Sequence, residues 1–479
     1  MWLFIETLFT INLLLILLPT INKRSKRLIS VYKSSALSIC LLFFVLLNLH
    51  ILFLNSYSPF LFFEYFSIST LFVLDNLAII FCFLTTFLSA ICLFLTWKSP
   101  KYLSTSYFIS IWLLEFCLFH AFSSLNLISF YIFFEITLVP MLLLILIWGS
   151  RQRKLHAAFL FFFYTALGSI FLLFGILWLY FLTNTIFLPN LSYLYIDLVN
   201  QKILWILFFL GFAAKVPLIP LHTWLPEAHV EAPTPGSIIL AGLLLKIGTF
   251  GMLKFMFPLL NLATTFFKPL AFTFALLSIY HASLVAIRQL DLKKIIAYSS
   301  IAHMGFVILG LFSTNLYGFL GSIFIMLSHG FVASSLFFLV GFVYDRYGTR
   351  NILDYSGLVL TCPVFVCSFF FLSLANMSFP GTSNFVGEAF VLFGVTEIDF
   401  TTSLLATFSI ILTSIYTIWS FNRVSFGELN KSLHGFFDFN KIEFIVFFCF
   451  FIFILLFGFK QNLLFHGIDN LPFFYLINR

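Results

Sequence analysis

Four ionisable residues stand in otherwise apolar stretches of this chain: Glu135, Lys215, Lys246 and Glu388. At the centre of a membrane helix each would cost about 2.5–3.5 kcal/mol on insertion scales. Burial disfavours the charged form of an amine or a carboxylate, and a nearby opposite charge restores it. An amine and a carboxylate whose separation can change are therefore a device for loading and unloading a proton. Glu115, His222, His303 and His329 add further polar groups inside apolar runs. Each candidate also has a plainer reading. The lysines could pair structurally with an acid. Glu388 could cap a helix that restarts after Pro380-Gly381, since acidic residues suit a first turn. His303 and His329 could each bond a carbonyl. Asp75 reads as an N-cap, Lys254 as a lysine snorkelling to the interface, and His50, His120 and His281 as structural.

The composition calls for a membrane around these residues. Of 479 residues, 62% are hydrophobic and 9% charged, against about 25% charged in soluble domains. That is too little charge for a water-facing surface and too much apolar residue for disorder. The net charge of +7 does not point to nucleic acid, because the basic residues sit in short loops. The 73 Phe read as codon bias in an AT-rich genome. The seven cysteines show no C-x-x-C spacing, so neither a disulfide framework nor an iron–sulfur site is indicated. No Gly-rich nucleotide loop or Walker motif is present. Met1–Pro19 is apolar and its basic cluster, Lys23 to Arg27, follows it. That order predicts a retained helix rather than a cleaved signal.

A membrane helix needs about 20 mostly apolar residues. This ruler predicts an all-α, polytopic protein with fourteen spans: 2–18, 36–54, 74–97, 107–125, 127–148, 156–182, 203–225, 236–257, 268–288, 293–313, 317–345, 360–397, 401–422 and 442–459. The seventh carries Pro217 and Pro220, and the twelfth Pro380-Gly381, so both should be broken helices. Most Lys and Arg fall in loops after odd-numbered spans, while Lys202 and Lys268 follow even-numbered ones. The bias puts the basic loops on the negative side of the membrane and both termini on the positive side. Counting five spans from the fourth, and five more, gives two units, each broken at its fourth helix. An odd number of helices inverts one unit relative to the next, the pattern of transporters with midplane sites. The expected organisation is an N-terminal segment 1–106, inverted five-helix repeats 107–258 and 259–424, and a C-terminal helix and tail 425–479.

Longer motifs resemble a known family. Phe133-Phe134-Glu135, Leu138-Val139-Pro140 and Trp148-Gly149 resemble a helix of the antiporter-like subunits of NADH:ubiquinone oxidoreductase, respiratory complex I. The run from Ala214-Lys215-Val216-Pro217 through His222-Thr223-Trp224-Leu225-Pro226 to Ala228-His229-Val230-Glu231-Ala232-Pro233, on to Lys246, is similar to that superfamily's most distinctive segment. Asp291-Leu292-Lys293-Lys294 through His303-Met304-Gly305 is similar again. Pro380-Gly381-Thr382-Ser383-Asn384-Phe385-Val386-Gly387-Glu388 resembles the chain 4 branch, where sister branches usually place Lys. The resemblance is strong over residues 75–425, and His281 departs from it.

This resemblance implies a fourteen-helix fold and a share in NADH-driven, quinone-linked proton pumping. It assigns Lys215 to a first half-channel with Glu135 as its electrostatic partner. Lys246, aided by His222, would link the halves, His303 and His329 would continue the polar axis, and Glu388 would serve the second half-channel. Glu115 is a secondary member. NADH, FMN, iron–sulfur clusters and quinone would belong to other subunits, with no cofactor on this chain. The implied partners are other membrane-arm subunits, including sister antiporter-like subunits, and lipids, but no nucleic acid. The implied location is the mitochondrial inner membrane, or alternatively a bacterial plasma membrane. Three other readings are a stand-alone cation/proton antiporter subunit, a sister subunit of the complex and a scaffold with vestigial pumping residues. Glu388 in its Pro-Gly-Thr-Ser-Asn setting argues against the first two, and retention of both amines and both acids against the third.

Overall fold

At membrane depth no water satisfies exposed amides, so the chain must close its hydrogen bonds within helices. In the computed structural model the described residues are 72–96, 103–192, 194–428 and 437–462. The first two expected spans, 2–18 and 36–54, lie outside them, as do both termini. Among the described residues the helices are α1 Asn76–Leu95, α2 Ser104–Ser123, α3 Leu127–Trp148, α4 Lys154–Thr183, α5 Leu198–Lys215, α6 Trp224–Glu231 and α7 Thr234–Leu259. They continue as α8 Asn261–Arg288, α9 Leu292–Ser313, α10 Leu316–Tyr347, α11 Pro363–Asn376, α12 Ser383–Thr396, α13 Phe400–Ser425 and α14 Lys441–Phe459. Eleven of these are long and apolar enough to cross a membrane. The exceptions are α6 and the pair α11 and α12, which form the two halves of one further interrupted span.

Two helical paths break. The chain leaves helix after Lys215 and resumes it at Trp224, and it leaves helix after Asn376 and resumes it at Ser383. Prolines 217, 220 and 380 lie in these gaps, where a missing amide donor and ring clashes forbid a continuous helix. A milder interruption divides α3 at Thr137, just before Pro140. Helix α7 contains two π-helical turns, Leu240–Leu244 and Met252–Met256. Each widens the turn locally, a feature frequent at functional sites.

The middle of helix α10 is fully buried and that of α1, α7 and α9 nearly so, whereas α4, α13 and α14 turn most of their surface outward. The central helices carry Lys246, His303 and His329, so the polar residues lie where lipid cannot reach them. Many buried hydroxyls are satisfied locally: Thr85, for example, donates to the Cys82 carbonyl at 2.7 Å. One face of the bundle is knit by Val73 N donating to Ser123 O (2.7 Å) and Leu127 N to Ile186 O (3.1 Å). The other is knit by Ser150 N to Glu231 O (3.2 Å), Leu292 N to Arg350 O (3.0 Å) and Ile352 N to Leu290 O (2.8 Å). Arg151, Arg288, Arg346 and Arg350 all gather at this second face, called here the basic face.

Candidate proton-translocation site

The first π turn of α7 places Lys246 in the core with two partners. Its fully buried Nζ lies 2.5 Å from the Ala241 carbonyl, inside that turn, and 2.7 Å from His329 Nδ1 on α10. When Lys246 is an ammonium, which can only donate, His329 Nδ1 accepts and the ring proton is on Nε2, an atom with no protein partner. The His329 ring centroid is 5.5 Å from that of His303 on α9. His303 Nδ1 in turn lies 2.9 Å from Glu388 Oε1 on α12. Its Nε2 faces Asn376 Oδ1 at 3.3 Å, on the other side of the helix break. The Asn376 amide can accept from an imidazolium or, turned over, donate to a neutral ring. Lys246, His329, His303 and Glu388 thus form one buried row of titratable side chains across four helices.

Glu388 is the sixth residue of α12, beyond its first turn, and no acid occupies that turn. Its bond to His303 is the contact that explains it, not a cap. Around the break, Ser378 Oγ, Ser383 Oγ and both amide atoms of Asn384 are buried without a protein partner. Such groups need water to avoid the full desolvation cost.

Lys215 ends α5. Its Nζ lies 2.5 Å from the Phe134 carbonyl and 3.2 Å from the centroid of the Phe134 ring. Glu135, the next residue along α3, acts on it electrostatically. No ion pair within 4.0 Å joins Lys215 to Glu135 among the described residues. The expected pairing is therefore an influence across a gap, not a contact. The broken segment after Lys215 is closed by protein: Trp224 Nε1 donates to Ala214 O at 2.9 Å and Leu218 N to Ala213 O at 3.1 Å.

Other sequence expectations come out differently. His222 packs edge-on to His281, with ring centroids 5.2 Å apart, so the residue that departs from the resemblance stands beside a candidate site histidine. Lys246 bonds His329 rather than His222. Lys254 does not snorkel: it is buried and forms a 2.9 Å ion pair with Asp75. Asp75 holds the N-cap position of α1 without a side-chain cap bond, because its carboxylate is turned to that lysine. His120 bonds the Phe116 carbonyl at 2.8 Å, the structural role expected of it. Glu115 is buried on α2 within electrostatic reach of Cys92.

Two residues were passed over in the sequence. Lys293, counted among the loop cations, is fully buried and donates to Ala232 O (2.8 Å) and Ser237 Oγ (3.1 Å). His229 is fully buried, stacked on Phe337 at 4.4 Å, and both its ring nitrogens lack a protein partner. Lys246 and Lys293 are its charged neighbours. The signal for His229 was its place in the Ala228-His229-Val230-Glu231 run.

Comparison with known proteins matches this arrangement to a family. Residues 124–415 match the family described as NADH:quinone oxidoreductase/Mrp antiporter, TM. NADH-ubiquinone oxidoreductase chain 4 of Acanthamoeba castellanii is 50% identical over 404 residues, covering 84% of this chain and 81% of that one. The chain 4 of Chondrus crispus is 44% identical over 451 residues, covering 94% and 92%. The chain belongs to the NADH-ubiquinone oxidoreductase chain 4 family. The resemblance carried by the helix-breaking segment before Glu388 is borne out at the level of the branch. A chain of respiratory complex I from Thermus thermophilus with bound NADH superposes with a TM-score of 0.82, at 26% identity, covering 97% of this chain and 99% of that one. A chain of the Mrp complex from a Dietzia species shares the fold, with a TM-score of 0.83 at 18% identity over 99% and 98% of the two chains.

Proposed function

We propose that this chain is a proton-translocating, antiporter-like subunit in the membrane arm of a respiratory complex I, in which NADH oxidation and quinone reduction drive proton pumping. Membership of the chain 4 family supports that reading. The observation that carries it is the buried row Lys246–His329–His303–Glu388, a set of titratable groups no packing need explains. NADH, FMN, iron–sulfur clusters and quinone belong to other subunits of the assembly. The neighbours of this chain are further membrane-arm subunits, including sister antiporter-like ones, and lipid. Its membrane is the mitochondrial inner membrane, with the basic face toward the negative side. Helices α2–α7 and α8–α13 are read as two inverted units, each with one broken helix.

In this reading Lys215, biased by Glu135, holds a proton on the first side. Moving Glu135 or its water nearer or farther alters how firmly Lys215 keeps it, because like and opposite charges act on a titrating group over a few ångströms. A proton released toward Lys246 passes along hydrogen bonds of 2.7 and 2.9 Å, within the heavy-atom range for direct transfer. The step between His329 and His303 needs one bridging water. Glu388, beside the second break, exchanges with the far side. No covalent intermediate is needed: the work is electrostatic.

Replacing Lys246 by Gln keeps a polar side chain and removes the titration. The expected result is an assembled complex whose NADH-driven proton uptake into sealed vesicles, and coupled quinone reduction, both fall by at least about tenfold. Normal pumping by an assembled Lys246→Gln complex would sink the reading.

A further inference from the structure

Helix α7 carries a second buried lysine whose role the proton row does not absorb. Lys254 follows Lys246 by eight residues, about 12 Å of helix rise, and lies in the second π turn. It forms a 2.9 Å ion pair with Asp75, at the start of α1, on the face opposite the basic loops. The lysine side chain is 6% exposed and that of the aspartate 38%, so the pair runs from the interior to the surface. Between the two lysines, four residues from each, stands Phe250. Its ring centroid is 5.4 Å from Lys254 Nζ. Phe81 and Phe122 pack on Phe250 at 5.6 and 5.0 Å and on each other at 5.2 Å. All three rings are fully buried.

We propose that the Lys254–Asp75 pair and this phenylalanine cluster form a proton seal between Lys246 and the face opposite the basic loops. The inference rests on reading Lys246 as a proton carrier. A proton approaching from that face meets a fixed ammonium and then a dry aromatic plug. Fixed positive charge in a narrow path is a barrier to protons and other cations. Asp75 is what holds the ammonium in place, through the 2.9 Å ion pair, and an ion pair broken by removing one partner leaves the other charge buried and uncompensated. A dry pathway without the charge would slow water but would not repel a hydrated proton. The charge without the rings would leave water to bridge the gap.

The seal predicts a leak when it is broken, which a clamp between α1 and α7 does not. Lys254→Gln, Lys254→Arg and Asp75→Asn would be made in the complete membrane-embedded complex and compared in sealed vesicles. Passive proton flux is followed after an imposed pH step with no NADH present. Lys254→Gln and Asp75→Asn should raise this flux severalfold, and NADH oxidation measured with an uncoupler should stay at the parental rate. Lys254→Arg keeps the charge and should stay tight. Adding Lys246→Gln to Lys254→Gln should return the flux to baseline, because the inner relay is gone. Parental tightness in both neutral variants overturns the seal, and so does loss of assembled complex with no leak, the signature of a clamp. A leak that persists in the double variant upholds the seal and overturns the role of Lys246, which separates the two failures.

Discussion

The two interrupted helices occupy matching places in the chain order and treat their breaks in opposite ways. At the first, the freed backbone is closed by protein: the Trp224 indole covers Ala214 O, and the ammonium of Lys215 is held by a carbonyl and an aromatic face. At the second, Ser378, Ser383 and Asn384 present polar atoms that no protein group satisfies, and Glu388 is bonded directly to His303. One break keeps a cation whose acid acts on it without an ion-pair contact. The other keeps an acid in direct contact with its histidine partner. Two breaks of the same helical kind therefore present their charged residue in two ways, and the neighbouring side chains decide which.

That contrast can be broken by substitution. The largest effect belongs to the second site: Glu388→Gln should preserve assembly and lower NADH-driven pumping at least about tenfold, the scale of losing a positioned acid–base group. Glu388→Asp should keep part of the rate. Equal pumping by wild type and Gln variant in sealed vesicles would make the His303 contact a packing feature. At the first site Glu135→Gln should be milder, about two- to fivefold in coupled turnover, the rate equivalent of roughly 0.5–1 kcal/mol for a partly exposed electrostatic pair. A loss as deep as that of Glu388→Gln would mean that Glu135 and Lys215 meet directly during turnover. The smallest change is expected for Phe134→Leu, which removes the ring under Lys215 and keeps the carbonyl that holds it. Less than about twofold in coupled turnover fits a modest cation–π contribution offset by the retained bond. A larger loss would show that the ring, not the carbonyl, holds the lysine.

Much of this arrangement could be read from the sequence because the membrane leaves few options. A span must be long and apolar, a proline must interrupt it, and an internal charge must have a purpose, so the broken helices and Glu135, Lys215, Lys246 and Glu388 stood out. Partnerships were less legible. That Lys246 meets His329 depends on a π turn in α7, one extra residue in a helical turn that no hydrophobic period announces. Lys254 and Asp75 are 179 positions apart in the chain, and each alone looks like an ordinary helix-end residue. Lys293 sits at a helix start, where a basic residue normally faces water; only the close approach of Ala232 and Ser237 encloses it. His229 carried a motif signal but no charged neighbour in sequence, and its company comes entirely from packing.

His303 is held from two directions, by Asn376 on the half-helix before the break and by Glu388 on the half-helix after it. The imidazole therefore spans the joint of a bent rod, and the angle between the rod's halves sets how far apart its two partners stand. A tilt of one half against the other would change the length of one of these two bonds. The ring is thus a gauge of the angle between the halves. Inserting or deleting one residue in the turn 377–382 would retune that gauge without altering a single titratable group.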